Sequence, residues 1–153
     1  MMYLGIDPGC NGCIALIGEH GEPHECLKLK DATEADIAHF VTTCRVEARA
    51  NSEPIHAAIE FVRSTPQMGV VSAFTFGRSY GFLRGILAAN GIKREDVTPQ
   101  KWQAELGCRS KGDKNVTKAK AQELWPEEKI THANADAMLI AEYARRMVTQ
   151  GKL

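Results

Sequence analysis

Apolar and turn-forming residues alternate at the start of the chain in a pattern that predicts paired strands. Residues 2–7 and 13–18 are short apolar runs, and the sequence PGCNG at 8–12 between them carries the Pro-Gly and Asn-Gly pairs typical of turns. This pattern predicts a hairpin with Asp7 at its mouth. A third strand near 23–29 would continue the antiparallel meander.

The rest of the chain alternates helical spacing with short apolar runs. Apolar residues recur at helical spacing over 32–50, and the apolar run at 55–62 predicts a buried strand that pairs parallel with the first strand. The later elements are a long helix over 67–90, a strand near 95–98, and helices from Pro99, over 115–124 and over 134–147. This order predicts an α/β fold in which residues 1–153 form a single domain, with a mixed five-stranded sheet and helices on both of its faces.

Small residues form a row along the predicted helix at 67–90. They recur at every fourth position and are Gly69, Ala73, Gly77, Gly81, Gly85 and Ala89. Each glycine inside a helix costs about 0.5–1 kcal/mol relative to alanine, so the row indicates that something approaches the helix backbone closely. Two interpretations remain open: the row packs on the protein's own sheet, or it contacts a second subunit, where Phe74, Phe76 and Phe82 would supply apolar area.

The composition is that of one ordinary globular domain. The 153 residues are 44% hydrophobic and 25% charged, and no apolar run approaches the roughly 18 residues that a membrane span needs. The first residues also lack the basic and apolar regions of a signal peptide. We therefore expect a cytoplasmic protein that has no contact with a membrane.

The cysteines do not predict a metal or redox site. Their number is five, which fits free thiols in a reducing compartment. Cys10 and Cys13 have ligand spacing, but no second pair completes a zinc site. A redox motif would open a helix, whereas residues 13–18 are predicted to form a strand.

Positive charge is concentrated in one short stretch. The net charge of the chain is zero, which argues against a protein that coats nucleic acid on all sides. Residues 109–120 nevertheless contain five basic residues and one acid. Within them, Lys111, Lys114 and Lys118 lie in or just before a predicted helix, and such a basic run is either a solvated surface or a candidate site for backbone phosphates of a nucleic acid.

Three carboxylates are predicted to meet at one edge of the sheet. Asp7 ends the first strand, Glu60 lies near the end of the fourth, and Asp136 lies at the start of the last helix. Asp7 and Asp136 each suit a turn or a helix start, but Glu60 lies in an apolar run, where a carboxylate is costly to bury without a charged partner. A cation between the three carboxylates would offset their repulsion.

Oxygen ligands alone select a hard metal ion. The three acids therefore predict Mg²⁺, with Mn²⁺ as a substitute, and two such ions about 3.5–4 Å apart are the usual arrangement for displacement at phosphate. One ion would activate a water and the other would stabilise the leaving oxygen. His132 lies four residues before Asp136, so it is a candidate further ligand or proton shuttle if it points inward, and a cap or surface residue if it does not.

Four segments occur in an order that carries a family resemblance. They are LGIDPG at 4–9, AAIEFV at 57–62, VTPQKWQ at 97–103 with KNVTKAKAQELWP at 114–126, and HANADAMLIAEYARR at 132–146. Together they resemble the RuvC-like Holliday junction resolvases of the ribonuclease H-like superfamily, particularly its compact phage and prophage members. The resemblance covers nearly the whole chain and implies the ribonuclease H-like fold.

The resemblance also implies an activity. Members of this family are homodimeric, Mg²⁺-dependent crossover junction endodeoxyribonucleases that act in DNA recombination and repair and need no small-molecule cofactor. They make paired nicks at a four-way DNA junction, and water attacks the phosphodiester with two metal ions in the site. By match to the family motifs, Asp7, Glu60 and Asp136 are the catalytic, metal-binding acids.

Two positions depart from the family pattern. The family usually supplies a fourth ligand three residues before the last Asp, but that position is Ala133 here, and the nearest candidate is His132. Many members also carry an aromatic residue three positions after the strand-end Glu, which stacks on a base at the junction centre. Arg63 occupies that position, with Phe61 nearby, and a guanidinium plane can also stack on bases and bind DNA.

Other functions remain compatible with these residues. One is a ribonuclease H-like nuclease that acts on RNA–DNA hybrids, flaps or structured RNA. Another is a non-catalytic DNA-binding protein of the same fold, which Ala133 would favour. Actin-like ATPases share the core fold and a phosphate-binding Asp-x-Gly turn, but they need two such domains and 153 residues hold only one.

Overall fold

The elements follow the predicted order. The computed structural model describes all 153 residues. Its strands and helices are β1 (Met2–Asp7), β2 (Cys13–Ile17), β3 (Pro23–Lys28), α1 (Glu34–Ala50), β4 (Ile55–Glu60), α2 (Val70–Ala89), β5 (Lys93–Val97), α3 (Pro99–Glu105), α4 (Lys114–Leu124) and α5 (His132–Thr149).

The sheet has five strands in the order β3-β2-β1-β4-β5. Strands β1, β2 and β3 pair antiparallel, whereas β4 pairs parallel with both β1 and β5. The parallel pairing follows from the helical crossovers α1 and α2, which return the chain to the same edge before each new strand. The predicted mixed α/β sheet, with its antiparallel meander and parallel strands, is confirmed.

Both faces of the sheet are covered, because side chains alternate along each strand. Tyr3 and Ala58 belong to a core cluster that the sheet shares with α3, α4 and α5. Leu4 and Ala57, one residue away, belong to a second cluster with α1 and α2. The strands are therefore buried on both sides, which explains their continuous apolar runs.

Helix α5 lies directly on the central strand β1. A Cβ atom built at Gly5 would overlap the backbone carbonyl oxygen of Ala137 and the backbone amide nitrogen of Ala141. No side chain separates the two backbones at this point, so only glycine leaves room for the helix. The close contact fixes where the start of α5 lies relative to the end of β1.

Two boundaries differ from the prediction for identifiable reasons. Strand β5 begins at Lys93 rather than near residue 95, because its charged residues suit an exposed edge strand that pairs on one side only. Helix α5 begins at His132 rather than near residue 134. Thr131 is its N-cap and forms a capping box with Asn134, in which each side chain accepts from the other's backbone N–H.

The row of small residues on α2 faces away from the sheet. Cβ atoms built at Gly77, Gly81 and Gly85 would meet no atom within 4 Å, so the interpretation that the row packs on the protein's own sheet is wrong. The start of the same helix exposes Val70 and Phe74, whose exposed fractions are 85% and 72%. Helix α2 thus presents an apolar surface that the chain itself does not cover.

All five cysteines are free thiols. None of the helices combines the length and the apolar character needed to cross a membrane.

Candidate active site

Asp7 and Glu60 end neighbouring parallel strands. Ile6 of β1 lies opposite Ile59 of β4, so the next residue of each strand, Asp7 and Glu60, lies at the same level of the sheet. Alternation places both side chains on the face that α5 covers, since Gly5 and Ala58, two residues earlier, lie on that face. The prediction that the two acids lie at one sheet edge agrees with this register.

The turn after β1 holds the Asp7 side chain. The backbone N–H of Gly9 donates a hydrogen bond to Asp7 Oδ1 at 3.1 Å. Gly12 closes the turn by donating its N–H to the carbonyl oxygen of Gly9 at 2.8 Å, and a Cβ atom at Gly12 would overlap the Asp7 carbonyl oxygen. The Pro-Gly and Asn-Gly pairs that predicted the turn therefore also orient its carboxylate.

Asp136 reaches the same region from α5. It directly precedes Ala137, whose carbonyl lies against Gly5, two residues before Asp7. Asp136 is half-buried, and its Oδ1 is fully buried without any hydrogen-bond partner. A buried carboxylate oxygen without a partner is costly and calls for a proton or a cation.

Two of the three carboxylates, Asp7 and Glu60, have raised pKa values. Burial, together with the negative charges of Asp7 and Asp136, raises the pKa of Glu60 to about 7, against a hydrogen bond from Trp102 that lowers it. Burial also raises the pKa of Asp7, the Gly9 N–H lowers it, and the charge of Asp136 raises it. The site thus favours protons or cations over three bare charges.

Lys114 lies close enough to act on this cluster. Its positive charge lowers the pKa of both Asp7 and Glu60. It is the first residue of α4, and the preceding Asp113 caps the helix by accepting a hydrogen bond from the Asn115 N–H at 2.9 Å. Lys114 is exposed, so its ammonium group remains available to a phosphate beside the carboxylates.

The donor chemistry of the cluster fits a hard cation. Its three side chains offer only carboxylate oxygens, which are the ligands that Mg²⁺ and Mn²⁺ prefer, and the Oδ1 atom of Asp136 lacks a partner. In the present conformation, however, no three acidic, histidine or cysteine side chains lie close enough together to hold one ion. The three carboxylates interact at longer range instead.

Three further predicted site residues are exposed at the surface. His132 is exposed at the first position of α5, one helical turn before Asp136, so its role as a ligand stays a prediction. Arg63 is exposed, and its guanidinium group lies over the Phe61 ring, 5.0 Å from the ring centroid. Lys111 is exposed in the loop before α4.

Lys118 lies one helical turn after Lys114 in α4 and is half-buried. Lysine residues four apart on a helix share one face, so the three predicted lysines extend from the loop onto one side of α4. Their contact with DNA stays a prediction.

Sequence reasoning missed the role of Trp102. Its Nε1 donates a hydrogen bond to Glu60 Oε2 at 2.9 Å, although α3 is separated from β4 by α2 and β5 in the chain. Apolar spacing can place a tryptophan in the core, but it carries no information about where the indole N–H points. The one available signal was that a buried glutamate needs a donor.

Structural comparison identifies the class of fold. The chain has the ribonuclease H-like fold, a mixed five-stranded sheet with helices on both faces. It is similar to the structure of Thermus thermophilus RuvC, with a TM-score of 0.64 and 16% identity, and to T. thermophilus RuvC in complex with a Holliday junction substrate, with a TM-score of 0.68 and 17% identity. Each comparison covers 99% of this chain and 98% of the other.

These neighbours confirm the resemblance to RuvC at the level of the fold. No protein-family model and no curated protein sequence matches the chain. The similarity to known proteins therefore lies in the three-dimensional structure.

Proposed function

We propose that this protein, as a single nuclease domain over residues 1–153, is a Mg²⁺-dependent endonuclease that cuts four-way DNA junctions by paired nicks. The observation that carries the proposal is the approach of Asp7, Glu60 and Asp136 from three separate elements, with the Oδ1 of Asp136 buried and unpartnered. One of the similar structures named above is RuvC in complex with a Holliday junction substrate, which supports this choice of DNA.

The three carboxylates are the proposed metal ligands, and His132, exposed one turn before Asp136, is the proposed fourth. Bound Mg²⁺, or Mn²⁺ in its place, with two ions per site, would supply an acidified water and neutralise charge that develops on the phosphate. Asp7, Glu60 and Asp136 would have to move closer together than they now lie, since no three side chains are close enough to hold one ion.

Three lysines and Arg63 would bind the DNA. Lys114 is exposed beside the carboxylates and would bind the phosphate next to the cut, while Lys111 and Lys118 would bind neighbouring phosphates. Arg63, which lies over Phe61 5.0 Å from the ring centroid, would offer a flat guanidinium surface for an unpaired base.

The proposed assembly is a homodimer formed through α2. A four-way junction has approximate two-fold symmetry and two strands to cut, so a pair of subunits with one site each matches it. Helix α2 exposes Val70 and Phe74, and the glycines at positions 77, 81 and 85 leave open space beside its backbone. A second copy of α2 would bury this apolar surface at close range.

The direct test compares labelled DNA substrates. Purified protein with Mg²⁺ should cut a four-way junction at symmetric positions and leave a linear duplex of matched sequence intact, and Asp7→Asn should abolish cutting while junction binding persists. Preferential cutting of an RNA–DNA hybrid of the same sequence would show another ribonuclease H-like activity. Junction binding without cutting in Mg²⁺ or Mn²⁺ would contradict the proposed catalysis.

A further inference from the structure

Glu60 is the one member of the carboxylate cluster that accepts a hydrogen bond from another side chain. The indole Nε1 of Trp102 donates to Glu60 Oε2 at 2.9 Å, and Glu60 Oε1 accepts no hydrogen bond. Asp7 accepts from a backbone N–H of its own turn, and Asp136 Oδ1 has no partner. Glu60 has one more side-chain dihedral than an aspartate, so it has the most freedom to lose before it can bind an ion.

Trp102 is itself held firmly. Its side chain is fully buried, with 0% exposure, in the core shared with α5. An indole carries a single hydrogen-bond donor, and a buried indole in a core usually donates to a backbone carbonyl or a water. Here the donor is committed to the side chain of a candidate metal ligand.

The residue before Trp102 anchors the same helix on the other side. Lys101 Nζ pairs with Glu95 Oε1 of β5 at 2.6 Å, and Tyr143 OH of α5 donates to the same oxygen at 3.1 Å. The ammonium group of Lys101 also lies 5.8 Å from the centroid of the Tyr143 ring. Helix α3 is therefore tied to β5 and α5 at Lys101 and to β4 at Trp102, which fixes the direction of the indole N–H.

We propose that Trp102 is a positioning residue for Glu60: its hydrogen bond holds the Oε2 atom of Glu60 and leaves Oε1 available to a metal ion. The contact of Lys101 with Glu95 and Tyr143 holds α3 in place. This inference rests on the proposed function, because it assigns Glu60 to a metal site. The same hydrogen bond makes Trp102 a reporter, because an ion bound at Glu60 changes the electric field at the indole ring.

Calorimetric titration with Mg²⁺ alone, without DNA, tests the positioning role. Trp102→Phe keeps an aromatic ring in the core but removes the N–H, and the affinity for Mg²⁺ should fall about 10–100-fold, as is usual when a group that orients a ligand is lost. Trp125→Phe is the matched control, because the Trp125 Nε1 donates at 2.7 Å to the Gly21 carbonyl oxygen and not to the cluster. That variant should bind Mg²⁺ as the unmodified protein does.

Fluorescence gives a second readout. In Trp125→Phe the only tryptophan is Trp102. The emission of Trp102 should change on addition of Mg²⁺ with the same midpoint as the calorimetric titration. The change should disappear when Glu60→Gln is added to Trp125→Phe.

The outcomes separate the positioning role from the proposed function. If the unmodified protein binds no Mg²⁺, the metal site fails and the positioning role fails with it. If it binds Mg²⁺ and folded Trp102→Phe binds equally well, the positioning role alone is overturned. Should Trp102→Phe not fold, Trp125→Phe decides: if that variant binds Mg²⁺ in the calorimeter while the emission of Trp102 stays unchanged, Trp102 is not coupled to the ion at Glu60 and the positioning role is overturned.

Discussion

Replacing Gly5 by alanine should push α5 away from β1. The added methyl group would overlap the carbonyl oxygen of Ala137 and the amide nitrogen of Ala141. These are backbone atoms of a helix, so no side-chain rotation relieves the overlap and the helix itself has to move. Because Asp136 directly precedes Ala137, the movement would carry its carboxylate away from Asp7.

The expected cost follows from the kind of overlap. Overpacking in a core typically costs about 1–3 kcal/mol, and a clash between two rigid backbones belongs at the upper end, about 3 kcal/mol. For a domain of this size that cost lowers the melting temperature by about 6–12 °C. A stability of about 5–15 kcal/mol would still leave most molecules folded in the cold.

Urea unfolding followed by circular dichroism measures this cost, and Gly18→Ala supplies the matched control. The nearest atoms to a Cβ at Gly18 belong to the exposed side chains of Glu22 and His24, which can rotate away, so this variant should lose much less stability than Gly5→Ala. Nicking by folded Gly5→Ala should fall well below that of the unmodified protein. Equal unfolding midpoints for Gly5→Ala and the unmodified protein would refute the close packing of α5 on β1.

Three further predictions concern charge, DNA and assembly. The pKa of Glu60 is raised from 4.5 to about 7 in the folded protein without metal. The protonated form of Glu60 therefore stabilises the fold by an amount on the order of 3 kcal/mol. This stabilisation is fully present below about pH 4.5 and is lost as the pH rises to about 7. In thermal melts without Mg²⁺, Glu60→Gln should therefore have a higher melting temperature than the unmodified protein at pH 8 and the same melting temperature near pH 4. Equal melting temperatures of the two proteins at both pH values would contradict the cost of burying this charge. Replacing Lys111, Lys114 and Lys118 together by alanine should weaken the salt dependence of junction binding. The slope of log affinity against log salt concentration should fall by about 0.9 for each lost phosphate contact, whereas Lys152→Ala should leave it unchanged. An unchanged slope in the triple variant would show that the three lysines contact only solvent. Sedimentation at micromolar concentration should show a dimer for the unmodified protein and folded monomers for Gly81→Leu, and a monomeric unmodified protein would exclude the proposed assembly.

The sequence was sufficient for the parts of the site that local chemistry determines. Asp7 and Glu60 were predicted at strand ends because apolar runs and turn residues mark where strands stop, and parallel pairing then brings the two ends together. The sheet, its order of elements and its two covered faces follow from the same patterns. Several element boundaries differ from the prediction by a few residues, and at β5 and at the start of α5 an edge strand and a helix cap account for the difference.

Other features depend on contacts that no local pattern encodes. The hydrogen bond from Trp102 to Glu60 joins residues far apart in sequence, and the closeness of Lys114 to the carboxylates depends on how α4 packs. The glycine row on α2 was ambiguous, because small residues at every fourth position allow close approach by either a sheet or a second helix. Only the three-dimensional arrangement showed that Gly77, Gly81 and Gly85 face open space.

The packing of α5 against Gly5 also bears on how the protein is made. Strand β1 is synthesised well before the helix that carries Asp136, because all the other strands and helices of the domain lie between them in the chain. Contacts between such distant segments form late, because the loop that joins them has to close first. If the protein acts as proposed, a nascent chain that lacks α5 would have an incomplete active site, and the nucleic acids around it would be spared until synthesis has passed that helix.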